Sequence, residues 1–304
     1  MKYLKTFEGR GISNIIKEYT ELIFSYYNGE DNKIQLDLDY IDLPLMDLRI
    51  VFTMSDKYYG YYDPTYSNLE DNKLFNIIIY IEIDKNNIIN HKIKGIITHE
   101  LTHIKEFYEI FKRMSELNIK ITPTYIKIRN IVSDIDDINF KNFLYLIYLS
   151  YDTEMNARIS QVYHYLYDFN IKDKNILFDK LKEHENWKYL ELLNEFNSKL
   201  FIDEYVNKIG LDGLLRITNE LIDKFVDKQL NKDTKLLKFI GTHVNNIDDL
   251  YLFYNKWSEY FKIKSDKHLR KFKYLIDEVI EDLNGNRPFN ENYRNVLKEK
   301  DKFN

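Results

Sequence analysis

The 304-residue sequence contains no cysteine. That excludes disulfides, thiolate nucleophiles and every metal or iron-sulfur site built on Cys, so any metal held by this chain must take its ligands from His and carboxylates. Proline and glycine are scarce, at 4 and 9 residues, which leaves room for long uninterrupted helices. Neither sign of charge dominates. The 44 basic residues are scattered among 49 acidic ones with no basic stripe to follow a phosphate backbone, and nucleic acid is not an expected partner. No run approaches the roughly 20 apolar residues that span a bilayer, and the stretch MKYLKTFEGRGISN lacks the apolar core of a secretory signal. A cytoplasmic protein with no membrane partner is therefore expected. The wealth of Lys, Asn, Ile and Tyr suits an AT-rich bacterial or phage genome.

What is present is enough apolar surface for a sizeable core, with 44% hydrophobic and 15% aromatic residues. Helical spacing over 12–28 ends in Asn28-Gly29, a helix followed by a glycine stop. Three strands are expected next, IQLDLDYI at 34–41, LRIVFTM at 48–54 and LFNIIIYIEI at 74–83, with a Tyr-rich turn region at 58–68 between the second and third. From about residue 90 the period becomes helical, predicting helices near 90–117, 138–168, 174–195, 198–229, 233–242, 247–263 and 265–283. The segment 118–137, with Pro123, reads as a loop or short strand. These elements describe a helix-rich α+β protein, divided into a mixed unit over 1–170 and an all-helical C-terminal region over 171–304 packed on it.

The chemistry concentrates in HELTH, residues 99–103. Two His four residues apart lie one turn apart on one helix face, so both imidazoles reach one ion, and the Glu after the first lies beside it. His99 and His103 are thus candidate metal ligands, and Glu100 is the candidate general base, taking a proton from an activated water and passing it to the leaving amine. Zn2+ suits imidazole and carboxylate donors in a tetrahedral site with one position open. Ile93, Ile96, Ile97, Leu101, Ile104, Phe107 and Phe111 form an apolar stripe with both His along one edge and Glu100 projecting within it. A carboxylate on a buried face is costly unless a charged partner meets it, and an ion or its water supplies that partner. The 74–83 strand is expected to give the sheet edge beside this helix, where an extended peptide can add as a further strand.

A catalytic zinc site needs a third protein ligand. Where metzincins continue with Gly and then His, this sequence has Glu106 and Glu109, so the helix runs on. Glu109 points away from the two His, whereas Glu106 shares their flank a turn too far along, fit for a hydrogen bond around the site or for a solvated charge. Downstream, EMNAR begins at Glu154, with Ala157 on the same helical side as a small residue permitting close approach of the two helices. With HELTH this resembles the gluzincin class of zinc metallopeptidases, in which a Glu on a second helix, often as E-x-x-A, follows HExxH. The resemblance covers roughly 74–168. It implies His99, His103 and Glu154 as zinc ligands, Glu100 as general base, a peptide or protein substrate, and a zincin-like domain of small twisted sheet and active-site helix. It departs at Arg158, where some gluzincins carry Asp. Arg158 could pair with Glu154 or Asp152 or hold a substrate carbonyl or carboxylate. Asp134, Asp136 and Asp137 are a second source of a ligand or of an acceptor for a zinc-bound His.

No spacing singles out an oxyanion donor among 26 tyrosines, His164 and His243, and His91, His184 and His268, set among charges, read as surface groups. The alternative to an enzyme is a zincin-fold structural or interaction protein, for instance a phage particle component, a reading prompted by the long helical remainder.

Overall fold

The computed structural model describes residues 14–37, 46–65, 75–117, 138–227 and 243–285. Among them the protein is helix-rich, with one small mixed sheet of four strands. The elements in chain order are α1 (Asn14–Ser25), β1 (Asn32–Asp37), β2 (Met46–Ser55), β3 (Tyr59–Thr65), β4 (Phe75–Asp84), α2 (Asn90–Leu117), α3 (Ile138–Leu149), α4 (Asp152–Asp168), α5 (Lys174–Glu183), α6 (Glu185–Glu195), α7 (Ser198–Asp227) and α8 (Ile247–Leu283). No described helix is long and apolar enough to cross a membrane.

Internal contacts divide the chain into two units: residues 1–117, 156–184 and 271–304, and residues 118–155 and 185–270. The first contains the sheet, in the order β1-β2-β4-β3. β2 and β4 pair in parallel, Ile50 opposite Ile79 and Phe52 opposite Ile81, while β1 and β3 pair antiparallel at the two edges. Period-two alternation buries Leu48, Ile50, Phe52, Ile79, Ile81 and Ile83 on one face and leaves Arg49 and Thr53 exposed on the other. α2 packs against β3, β4 and α1, burying Ile93, Ile96, Ile97, Leu101 and Ile104 as its apolar stripe requires. The side chains of Phe107, Glu109 and Phe111 lie outside those described, as do residues 118–137, with Asp134, Asp136 and Asp137, and the expected helix at 233–242.

The Tyr-rich stretch expected as a turn is strand β3, and this corrects the sheet edge. β4 lies between β2 and β3, so β3 is the edge beside α2. Tyr61 stacks on Tyr80 at 4.6 Å, the kind of cross-strand aromatic pair that favours a pleated surface, and Pro64, lacking an N–H, is tolerable because an edge strand leaves one row of groups unpaired.

Three expected helices are each broken once. The 138–168 segment divides at Ser150, whose hydroxyl donates to the Ile147 carbonyl and competes with the regular helical bonds. The 174–195 segment divides at His184, which is extended. α7 is interrupted at Gly210, where φ of 77° leaves the helical region in a way few other residues tolerate. Conversely, 247–263 and 265–283 are one helix, α8, since burial of Phe261, Ser265, His268 and Phe272 continues its period across the join.

The second unit has an aromatic core around Phe143, with Phe196, Phe201, Tyr254 and Trp257 at ring-centroid distances of 5.1–6.0 Å.

Candidate metal centre

α2 presents His99, Glu100 and His103 about one to two turns beyond Gly95. At that glycine the helix comes close to α4: a Cβ there would stand 3.0 Å from the Gln161 carbonyl oxygen. α2 and α4 are further joined by Asn156 Nδ2 donating to Glu106 Oε1 at 2.8 Å and by His164 Nε2 bonding Thr98 Oγ1 at 2.9 Å. Asn156 also accepts from Lys271 Nζ at 2.6 Å. The division between the two units falls inside α4, immediately after Met155, and Glu154 is in the first turn of that same helix.

The Nε2 atoms of His99 and His103 lie 3.1 Å apart, with rings at 81° to one another. A carboxylate oxygen of Glu154 completes a group of three ligand atoms all within 4.8 Å of one another, the only such group of His and carboxylates among the described residues. Two nitrogens bound tetrahedrally at 2.0–2.1 Å stand about 3.3 Å apart, so the imidazole pair has nearly the spacing an ion demands. The donor set, two imidazoles and a carboxylate, fits Zn2+. Glu154 is 1% exposed and His103 5%, while His99 is half-buried. The Tyr148 hydroxyl donates to Glu154 Oε2.

Glu100 is 4% exposed and lies against the edge strand. A Cβ built on Gly60 would meet Ile96 Cγ2 at 2.3 Å and Glu100 Oε1 at 3.1 Å, so β3 passes over the carboxylate at its one residue without a side chain. Neither Gly60 nor Tyr148 stood out in the sequence. The only signal for the first was a lone glycine in a run of tyrosines, which as a strand marks a close backbone approach.

No family model, no curated protein and no solved structure matches the chain.

The remaining expected residues fall as follows. Glu106 is half-buried and accepts from Asn156, and is not one of the three-atom group. Arg158 is half-buried one turn beyond Glu154 on α4, and Asp152 is taken by Lys264 at 3.3 Å and Lys267 at 2.9 Å. Ala157 is fully buried. His243 is exposed and bonds Asp223 at 2.7 Å. The surface expectation fails for His268, which is fully buried because it falls on the apolar side of α8, and for His91 and His184, which are half-buried beside Tyr165. Burial, with the neighbouring His91 and Lys92 charges, lowers the His184 pKa to about 4.

Proposed function

We propose that this protein is a zinc-dependent metallopeptidase of gluzincin type, with His99, His103 and Glu154 as the metal ligands and Glu100 as the general base in peptide-bond hydrolysis. The observation that carries the reading is the convergence of three donor atoms of the right chemistry, from a HExxH helix and a separate helix, within 4.8 Å. Zn2+ held by such a set supplies Lewis acidity, which polarises a substrate carbonyl and makes water nucleophilic at neutral pH.

The protein's own residues supply the rest. The Glu100 carboxylate, buried beside the ligands, accepts a proton from the attacking water and returns it to the leaving amine nitrogen. The edge of β3 runs over Glu100 at Gly60 and offers backbone groups to an extended peptide, which would lie across the general base. A zincin-like arrangement of small sheet and active-site helix agrees with a sheet of this order packed on α2.

The test is metal analysis with peptide hydrolysis. Purified protein is expected to hold one zinc per chain and to cleave casein or an unstructured peptide. Glu100→Gln is expected to reduce cleavage by about 10²- to 10⁴-fold, the usual contribution of a general base, with zinc retained. Cleavage undiminished in that variant, or a protein that takes up no zinc, overturns the proposal.

A further inference from the structure

A buried carboxylate that binds a cation must be held in one rotamer, since every wrong orientation leaves its charge desolvated without compensation. Glu154 is such a group, and the structure shows what holds it. Tyr148 Oη donates to Glu154 Oε2, a bond between a hydroxyl and a carboxylate that is stronger than one between neutral groups. On a continuous helix the two residues would not meet, because six positions separate them by about 9 Å along the axis and about 120° around it. They meet because the chain breaks between α3 and α4. There Ser150 N bonds the Leu146 and Ile147 carbonyls, Tyr151 N bonds the Tyr148 carbonyl, and Met155 N starts the next run on the Tyr151 carbonyl.

The phenol is itself fixed. Its ring stacks on Tyr145 at 6.1 Å and 27°, and Tyr145 takes the edge of Tyr189 at 5.9 Å. The hydroxyl is thus presented by a ring that stacks on its neighbour, which lowers the rotamer freedom to be lost on metal binding.

From this geometry we infer that Tyr148 is a positioning residue for the metal site, holding the Glu154 carboxylate in the orientation in which it meets the two imidazoles. The inference rests on the metallopeptidase reading for the nature of the ion. It goes beyond that reading in assigning part of the metal affinity to a residue outside the three proposed ligands. Partners of this kind are typically worth 10- to 100-fold in metal affinity.

The experiment is zinc affinity, measured by competition with a chelating indicator on the full chain, for wild type, Tyr148→Phe, Glu154→Ala and the double variant. Tyr148→Phe removes one oxygen and keeps the ring, so its circular dichroism is expected to match wild type. Its zinc affinity is expected to fall by about 10- to 100-fold. In the Glu154→Ala background, which leaves the hydroxyl no acceptor at position 154, the same change is expected to have no further effect, whereas a residue that acts only by packing would weaken both backgrounds equally. Should Tyr148→Phe fail to fold, Tyr148→His and Tyr148→Leu replace it, and the donor-bearing His variant is expected to bind zinc more tightly. Equal affinity of wild type and Tyr148→Phe, or of the His and Leu variants, overturns the inference and leaves the metallopeptidase reading standing. A wild-type chain that binds no zinc overturns both.

Discussion

Phe143, in the second unit, is surrounded by Phe196, Phe201, Tyr254, Trp257 and Phe261, rings that have no need of solvent or charge. Glu100, in the first, lies equally far from solvent but shares α2 with buried Thr98, Thr102 and His103. The two interiors cost different things. Aromatic burial is favourable in itself at roughly 25 cal/mol per Å² of apolar surface. Buried hydroxyls, imidazoles and carboxylates lose hydration and are tolerated where each finds a partner, as Thr98 does with Thr20, Lys94 and His164. A fold seeking only stability would fill α2's inner face with Leu and Ile. Glu, His and Thr there are what the proposed metal site would require, at a cost in stability that the aromatic interior does not bear.

The comparison can be broken most severely at Phe143. Replacing a fully packed phenylalanine by alanine removes its transfer free energy and leaves a cavity, so Phe143→Ala is expected to destabilise the second unit by about 3–5 kcal/mol, read by chemical denaturation. A loss below ~1 kcal/mol would mean that the aromatic cluster does not hold that unit together.

The polar interior around α2 should respond to metal. If His99, His103 and Glu154 hold zinc only in the folded state, free zinc at a hundred times its dissociation constant adds about 2.7 kcal/mol of stability, and a strong chelator removes it. The gain is expected to shrink sharply in His103→Ala. A zinc effect of the same size in that variant would place the binding elsewhere.

A smaller effect is expected where the edge strand meets Glu100. Gly60→Ala puts a methyl 2.3 Å from Ile96 Cγ2, an overlap that something must shift to relieve, and the expected cost is about 1–3 kcal/mol. Ile96→Ala in the same chain removes that neighbour and is expected to cost less than the two single changes added together. The 3.1 Å approach to Glu100 Oε1 persists in the double variant, so its hydrolytic activity is expected to stay reduced even where stability recovers. Full recovery of activity would show that the glycine serves packing alone.

How much of this was legible in the sequence depends on the range of the interactions. The α2 helix, its buried stripe and the burial of Glu100 follow from spacing alone, because a helix fixes which residues share a face. Strands β2 and β4 were legible for a similar reason, as short apolar runs. Strand β3 was hidden: its Tyr, Gly and Pro read as a turn, and it is a strand because Tyr59–Thr65 pair antiparallel with β4, a pairing local sequence does not reveal, with Tyr61 stacked on Tyr80. Glu154 was reached through the pattern it forms with HELTH, whereas its partner Tyr148 was not. That pair depends on a helix break at Ser150, and a serine within apolar helical spacing is ordinary in a continuous helix. His268 failed as a surface residue because charged neighbours in sequence say little when the helix face alternates.

The mildest perturbation is pH, and it acts through His184, away from the three ligand atoms. In the folded state burial and the nearby His91 and Lys92 charges hold its pKa at about 4, against about 6.5 in an unfolded chain. The folded form therefore binds the proton less readily than the unfolded form. The stabilising contribution of neutral His184 is fully present above about pH 6.5 and is lost as pH falls from there toward about 4. Between pH 7 and pH 6 the loss is under ~1 kcal/mol. His184→Gln is expected to remove that part of the slope while leaving the acid loss due to carboxylates, so stability curves of the two proteins should converge as the pH is lowered through this window. Parallel curves would mean that His184 is as accessible to protons in the folded protein as in the unfolded one, and that its contact with the Tyr165 ring, at 4.8 Å, does not keep it from solvent.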